Sequence, residues 1–186
     1  MKKFTRLFAL VLCLCAMLSG CDTGFGSKYV TDPAEYGKWE SYLDTPAFLP
    51  ESLTPYRTNA YSYTLHAYMD ICYEIFLDLT VTPEQLDGIL TRATADTAPV
   101  TERDAYYGVG WREIVFEDVY EIFEGETEGE SVVGWADIEK IVYNPITHTV
   151  VFVVLHANDT GVFPLNEVQY FHRFSIDERE YVRHLN

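Results

Sequence analysis

Asp22-Thr23-Gly24 and Asp159-Thr160-Gly161 give this chain two copies of one triplet. A pair of aspartates that shares a proton can activate water for hydrolysis.

The triplet resembles that of aspartic proteases, a family that places apolar strand residues directly before the aspartate. Here His156-Ala157-Asn158 precede one copy, and the other lies in a soft Gly- and Ser-bearing stretch. Both triplets therefore read as turns. Cys72 and His66 share strand parity, and a Cys–His couple can make a nucleophile. Only a turn between them would bring them close, and nothing nearby supplies an oxyanion hole or a third orienting group. Cys72 reads as a lone buried thiol acting as a small hydrophobe.

Metal chemistry fares no better. His148 and His156 share parity, but eight residues of strand hold them about 26 Å apart, too far for one ion. They are expected to mark the two ends of a buried strand, and His172 is expected on another strand, half exposed. Glu124, Glu126, Glu128 and Glu130 fall in "EGETEGE". Calcium loops favour Asp and Asn at short spacing, so these acids read as a solvated loop. Gly108-Val109-Gly110 lacks the strand-before, helix-after setting of a nucleotide loop and reads as a turn. No catalytic residue, metal set or cofactor is implied. What survives is aromatic: Tyr106, Tyr107 and Trp111 cluster in that glycine-bearing loop. Tyrosine and tryptophan suit sugar stacking and protein contacts, so these three are the candidate binding residues.

The elements that must position them follow from periodicity. Odd positions from Tyr61 to Val81 are mostly apolar, with polar residues between, as in half-buried strand. As one strand, 21 residues would run about 70 Å, so a break is expected near Ala67 to Asp70. The second half, Ile71 to Val81, reads as strand, while 57–70 stays open between strand and helix. Thr82-Pro83-Glu84-Gln85 carries a helix start, with Thr as cap, Pro in the first turn and Gln able to reach back. Leu86, Ile89, Leu90 and Ala93 then share a face, giving an amphipathic helix over 83–95. Residues 113–124, "EIVFEDVYEIFE", fit either a strand or a helical stripe through Phe116, Val119, Tyr120 and Phe123. "DIEKIVY", a turn at Asn144-Pro145 and "TVVFVVLHA" read as a hairpin whose second strand, apolar on both faces, is central. "EVQYFHRFSI" reads as a further strand and "DEREYVRHL" as a terminal helix. The sum is an α+β fold: an antiparallel sheet of about four to six strands with one main amphipathic helix on a face.

The N-terminus settles where such a domain would sit. Lys2, Lys3 and Arg6 form a basic region, followed by the apolar run Leu7 to Leu18. That run makes only about 18 Å of helix against a hydrocarbon core of roughly 30 Å, so it is a signal and not a span. It ends in Leu18-Ser19-Gly20-Cys21, which resembles the lipobox of bacterial lipoproteins. The resemblance covers residues 1–21 and implies a signal peptide over 1–20, removed before a cysteine that carries a diacylglyceryl group. Two acyl chains anchor stably where one holds only marginally. In a Gram-negative envelope Asp22 would further imply retention at the inner membrane. Residues 21–32 then read as lipidated cysteine and tether, and 33–186 as one domain.

Removing residues 1–20 takes away three cations and no acids, so the formal charge falls from −16 to −19. So acidic a chain repels phosphate and anionic lipid, which argues against nucleic acid and leaves attachment to the acyl chains. With Cys13 and Cys15 gone and Cys21 modified, no internal disulfide is available. The sequence thus predicts a membrane-tethered, extracytoplasmic binding module facing a basic protein through Glu117 to Glu130, or a glycan through the aromatic loop. An envelope hydrolase with an unrecognised carboxylate site and an accessory structural subunit are the alternatives.

Overall fold

The structure, a computed structural model, describes residues 26–43, 45–67, 71–96, 99, 101–104, 109–124, 131–157 and 163–164. Its strands are β1 (Gly26–Val30), β2 (Arg57–Ala67), β3 (Ile71–Thr80), β4 (Thr101–Asp104), β5 (Arg112–Glu124), β6 (Ser131–Asn144), β7 (Thr149–Ala157) and β8 (Phe163–Pro164). The helix α1 covers Pro83–Asp96, and a single 3-10 turn covers Pro33–Glu35. All strands join one antiparallel sheet in the order β1-β2-β3-β7-β6-β5-β4, with β8 against β6. The α+β class is as expected. Five long strands form the body; the short strands β1, β4 and β8 widen the sheet.

The alternating run breaks where length demanded. β2 ends at Ala67, β3 begins at Ile71, and the two pair without a break from Ala67 to Ala60, with a register shift between Ala60 and Thr58. The first half, left open between strand and helix, is strand. Its partner explains why: Tyr61, Tyr63 and Leu65 lie opposite Leu77, Ile75 and Tyr73 and share their buried face. β7 is the middle strand of the path, buried on both faces from Val150 to Leu155. The turn at residues 145–148 joins it to β6 as expected, and His148 and His156 fall just before and near the end of β7.

One expectation needs correction, and one open reading is decided. Gly26–Val30, expected in the tether, is an edge strand whose backbone pairs with Tyr63–Ala67. Five residues containing a glycine, a serine and a lysine carry too little apolar periodicity to reveal this. Residues 113–124, left open between strand and helix, are strand throughout. The helical look arises from a bulge between Val115 and Glu117 and a second register shift between Glu121 and Ile122. An extra residue in a strand breaks its two-residue alternation and mimics a longer period. The helix α1 packs on one face of the sheet, and side chains of the opposite face are buried as well.

One face carries the main core, with Ile75, Leu77, Val154 and Phe152 under Leu86, Ile89 and Ala93 of α1. The irregular segment 36–56 completes that layer. Phe48 stacks on Phe116 at 4.9 Å and on Phe152 at 6.5 Å. Tyr36 meets Trp39 and Tyr61 edge-on at 5.0 and 5.6 Å. Burial pushes the Tyr61 phenol up to about 12, with Glu35 adding to the rise. Tyr63 donates a short hydrogen bond to Glu40, which also holds Lys28 at 3.1 Å. Burial works to raise the Glu40 carboxyl, but those hydrogen bonds outweigh it and hold the group low.

The opposite face mixes aliphatic and polar side chains. Phe76, Val151, Val153, Leu155 and Ile138 share it with buried Glu74, Asp78, Glu113 and Lys140. Lys140 is 0% exposed and sits 3.1 Å from Asp118 and 3.8 Å from Glu113. The Phe116 bulge makes this possible. Phe116 keeps the core side of Ile114, and the bulge shifts the parity after it, so that Asp118 and not Glu117 shares the face of Lys140. Ser62 and Thr64 present buried hydroxyls on the same face with no hydrogen-bond partner among the described residues. The expected strand at "EVQYFHRFSI" and helix at "DEREYVRHL" lie outside the described residues.

Candidate functional site

At the end of the sheet where β6 turns into β7, two turns lock together. The side chain of Asn144, the last residue of β6, is buried and satisfies both. Its Oδ1 accepts from the backbone N–H of Ile146 at 2.9 Å and of Thr147 at 3.2 Å. Its Nδ2 donates to the carbonyl of Val109 at 3.4 Å. Gly110 adopts the left-handed conformation, with φ +81, as a tight turn before β5 requires. A Cβ at Gly110 would lie 2.7 Å from Ile146 Cδ1, so Ile146 rests directly on that backbone. Gly108-Val109-Gly110 was expected as a turn; Val109 and Gly110 form one, and Gly108 lies outside the described residues.

The product is an exposed apolar tip. Val109 is 94% exposed and Ile146 is 72% exposed, with half-buried Trp111 next in the chain. Singly exposed apolar side chains are ordinary on a protein surface; what sets these two apart is that one buried asparagine braces both of their turns. Around the tip the charges are paired or balanced. Arg112 meets Glu102 at 3.0 Å and lies over the Tyr143 ring at 5.9 Å, and Tyr143 donates to Glu102 at 3.2 Å. Burial pushes the Tyr143 phenol up; Arg112 pulls the other way and Glu102 adds to the rise. His148, with φ 56, closes the turn, and its carbonyl accepts from the N–H of Val81 at 2.9 Å just before α1. Among the described residues this tip offers contact area, and no nucleophile or acid–base couple.

Of the three candidate binding residues, Trp111 is thus at the base of the tip, while Tyr106 and Tyr107 lie outside the described residues. Cys21, both Asp-Thr-Gly aspartates, His172 and Glu126 to Glu130 also lie outside them. The register places His66 directly opposite Cys72. Cys72 is only 1% exposed, and His66 Nδ1 instead faces Ser27 Oγ at 2.9 Å. Among the described residues no group of three or more His, Cys, Asp or Glu side chains could hold a metal ion.

Sequence reading missed three arrangements. Asn144 was read only as a turn residue, although Asn before a turn is the usual source of such side-chain bonds. His156 Nδ1 lies 2.6 Å from Asp137 Oδ1, with the Tyr73 ring 5.7 Å from the imidazole. Asp137 is the register partner of His156 across β6 and β7, a pairing that no local pattern reveals. The Lys140 ion cluster was hidden for the same reason, since it depends on the bulge in β5. Comparison of the chain with protein-family models, with curated proteins and with solved structures returns no match.

Proposed function

We propose that this chain is a lipid-anchored extracytoplasmic binding module, held in the membrane through a diacylglyceryl group on Cys21. The carrying observation is the exposed Val109–Ile146 tip, fixed by a buried asparagine beside Trp111. A fold that immobilises apolar side chains in water is prepared for a contact and bears little of the ordering cost when it forms. The partner favoured is a protein with a basic surface, because the mature chain carries 29 acids against ten cations. A glycan stacked on the aromatic loop is the neutral alternative.

Cys21→Ala tests the anchor: the substituted chain should stay unprocessed or be shed, and should leave the detergent phase. Unchanged detergent partitioning would refute the anchor. For the partner, the purified mature domain should retain a basic envelope protein, and raising salt should weaken the retention, since exposed charge pairs are screened within about 8 Å at physiological ionic strength. Retention on polysaccharide alone, indifferent to salt and abolished by Trp111→Ala, would favour the glycan.

The hydrolase reading has one observation behind it, the half-exposed His156–Asp137 couple. A histidine oriented by a carboxylate needs a nucleophile or a positioned water to act on. None is presented to it among the described residues, so binding is preferred.

A further inference from the structure

Lys140 is the one lysine of β6, and the sheet register decides what it can touch. Its partner on β5 is Val115 and its partner on β7 is Val153, so aliphatic side chains flank it on both sides. Glu113 lies two residues before Val115 on the same face. After Val115, regular alternation would bring Glu117 to that face, and the bulge brings Asp118 instead. Lys140 therefore has one carboxyl diagonally before it and another diagonally after it. Its nitrogen is 3.1 Å from Asp118 Oδ1 and 3.8 Å from Glu113 Oε2. The Lys140, Asp118 and Glu113 side chains are 0%, 12% and 4% exposed, and Ile138, opposite Asp118, is fully buried.

An ion pair in such a place has given up its hydration, and mutual attraction offsets that loss only in part. A reaction that turns the two charges into one neutral group removes the penalty altogether. Lysine in a desolvated site is a known type of nucleophile, and here the fold already holds amine and carboxyl in contact, which removes the entropy of encounter.

We propose that Lys140 and Asp118 become joined by an amide bond between Nζ and Cγ, with Glu113 as the proton carrier. The steps balance without a co-reactant. Transfer of one proton from the ammonium to the Asp118 carboxylate gives an amine and a carboxylic acid of the same total composition. The amine lone pair then forms the Nζ–Cγ bond. The Glu113 carboxylate takes a proton from the nitrogen and delivers it to the Asp118 hydroxyl; the Cγ–O bond breaks and one water leaves. Glu113 ends as the carboxylate it began as. Its 3.8 Å distance is that of the unreacted pair, and such contacts are often long until the reacting geometry forms.

The product is a covalent staple across β5 and β6. Cys72 is the one cysteine among the described residues and is a free thiol, so no disulfide joins these strands. An amide from Asp118 to Lys140 constrains the unfolded chain as a disulfide would. It also locks the register of β5, whose first residue follows Trp111. The bond is independent of the anchor on Cys21 and of any partner at the tip.

The test is peptide mass spectrometry on the full chain, purified in its folded state and then unfolded and digested with trypsin. After Arg112 the next tryptic sites are Lys140 and Arg173. An acylated Lys140 is not cut. The chain should therefore yield one peptide covering residues 113–173, one water lighter than its sequence, with fragmentation placing the link between Asp118 and Lys140. Asp118→Ala should restore cleavage after Lys140 and the full mass. Asp118→Asn, which keeps the side chain's shape, should lose ammonia in place of water and give a linked peptide of the same mass as the unsubstituted chain. Glu113→Gln, with its fold verified by circular dichroism, should leave freshly folded protein largely unlinked; linkage as complete as in the unsubstituted chain would remove Glu113 from the mechanism. Separate peptides 113–140 and 141–173 at full mass from the unsubstituted chain would overturn the proposal, as would a water loss that maps to Glu113.

Discussion

Cys72 and His66 face each other across β2 and β3, the juxtaposition that a thiol nucleophile would need. Burial removes the chemistry, because at 1% exposure reagents cannot reach the thiol. Native protein should therefore resist a neutral maleimide and label only after denaturation. Rapid labelling of the folded chain would show that the hairpin opens or that the couple is accessible. The contrast with Asn144 is instructive at this scale. Both side chains are buried, but Asn144 has its three hydrogen bonds within reach and converts burial into order, fixing two turns at once. Residue type alone made Cys72 legible as a core residue. It could not make Asn144 legible as a clasp, since its partner Val109 is 35 positions away.

Among the elements, α1 is the one whose start was fully written in local residues. Thr82 Oγ1 accepts from the Gln85 N–H at 3.2 Å, and Gln85 Oε1 accepts from the Thr82 N–H at 2.8 Å, the reciprocal cap expected from the residue types. Thr82→Ala should cost about 0.5–2 kcal/mol of unfolding free energy, read from a denaturant midpoint with unchanged slope. No loss would mean that packing of Leu86 and Ile89 alone determines the helix end. Gln85 also donates to the Pro55 carbonyl at 2.8 Å, a tertiary contact invisible in the sequence. The β-strands divide the same way. β3 and β7 were readable because one or both faces are apolar without interruption; β2 stayed open between strand and helix, and its pairing with β3 makes it strand. β5 was not readable, because its first bulge serves a side chain on β6: it seats Asp118 beside Lys140. The short edge strands β1 and β4 are defined by the neighbours that pair with them, and their own residues are mostly polar. What local chemistry determines was legible, and what the neighbouring strand determines was not. That division also covers the candidate site, where the aromatic loop was singled out but its partner turn was not.

For the molecule as a whole, the dominant electrostatic fact is self-repulsion. Ion pairs among the described residues include Lys28–Glu40, Lys38–Glu35, Arg112–Glu102 and the Lys140 cluster. The exposed ones are each worth little in water, with a median of about 0–1 kcal/mol. Against them stand 19 uncompensated negative charges on 166 residues, spread over a surface that folding brings together. Added salt screens both contributions, but it reaches long-range repulsion and exposed pairs while barely touching the buried Lys140 cluster. The balance therefore has a sign. The mature domain, made without residues 1–20, should melt at a higher temperature in physiological salt than at about 10 mM, where the Debye length is roughly 30 Å and most of the carboxylates feel one another. Sodium chloride at moderate concentration is the right probe, because sulfate would add a general stabilisation by exclusion from the surface. A melting temperature that falls as salt rises would mean that the exposed pairs, led by Lys28–Glu40 under Tyr63, outweigh the net charge. In that case the excess acid is better balanced within the fold than the sequence total suggests, and the case for a basic partner weakens with it.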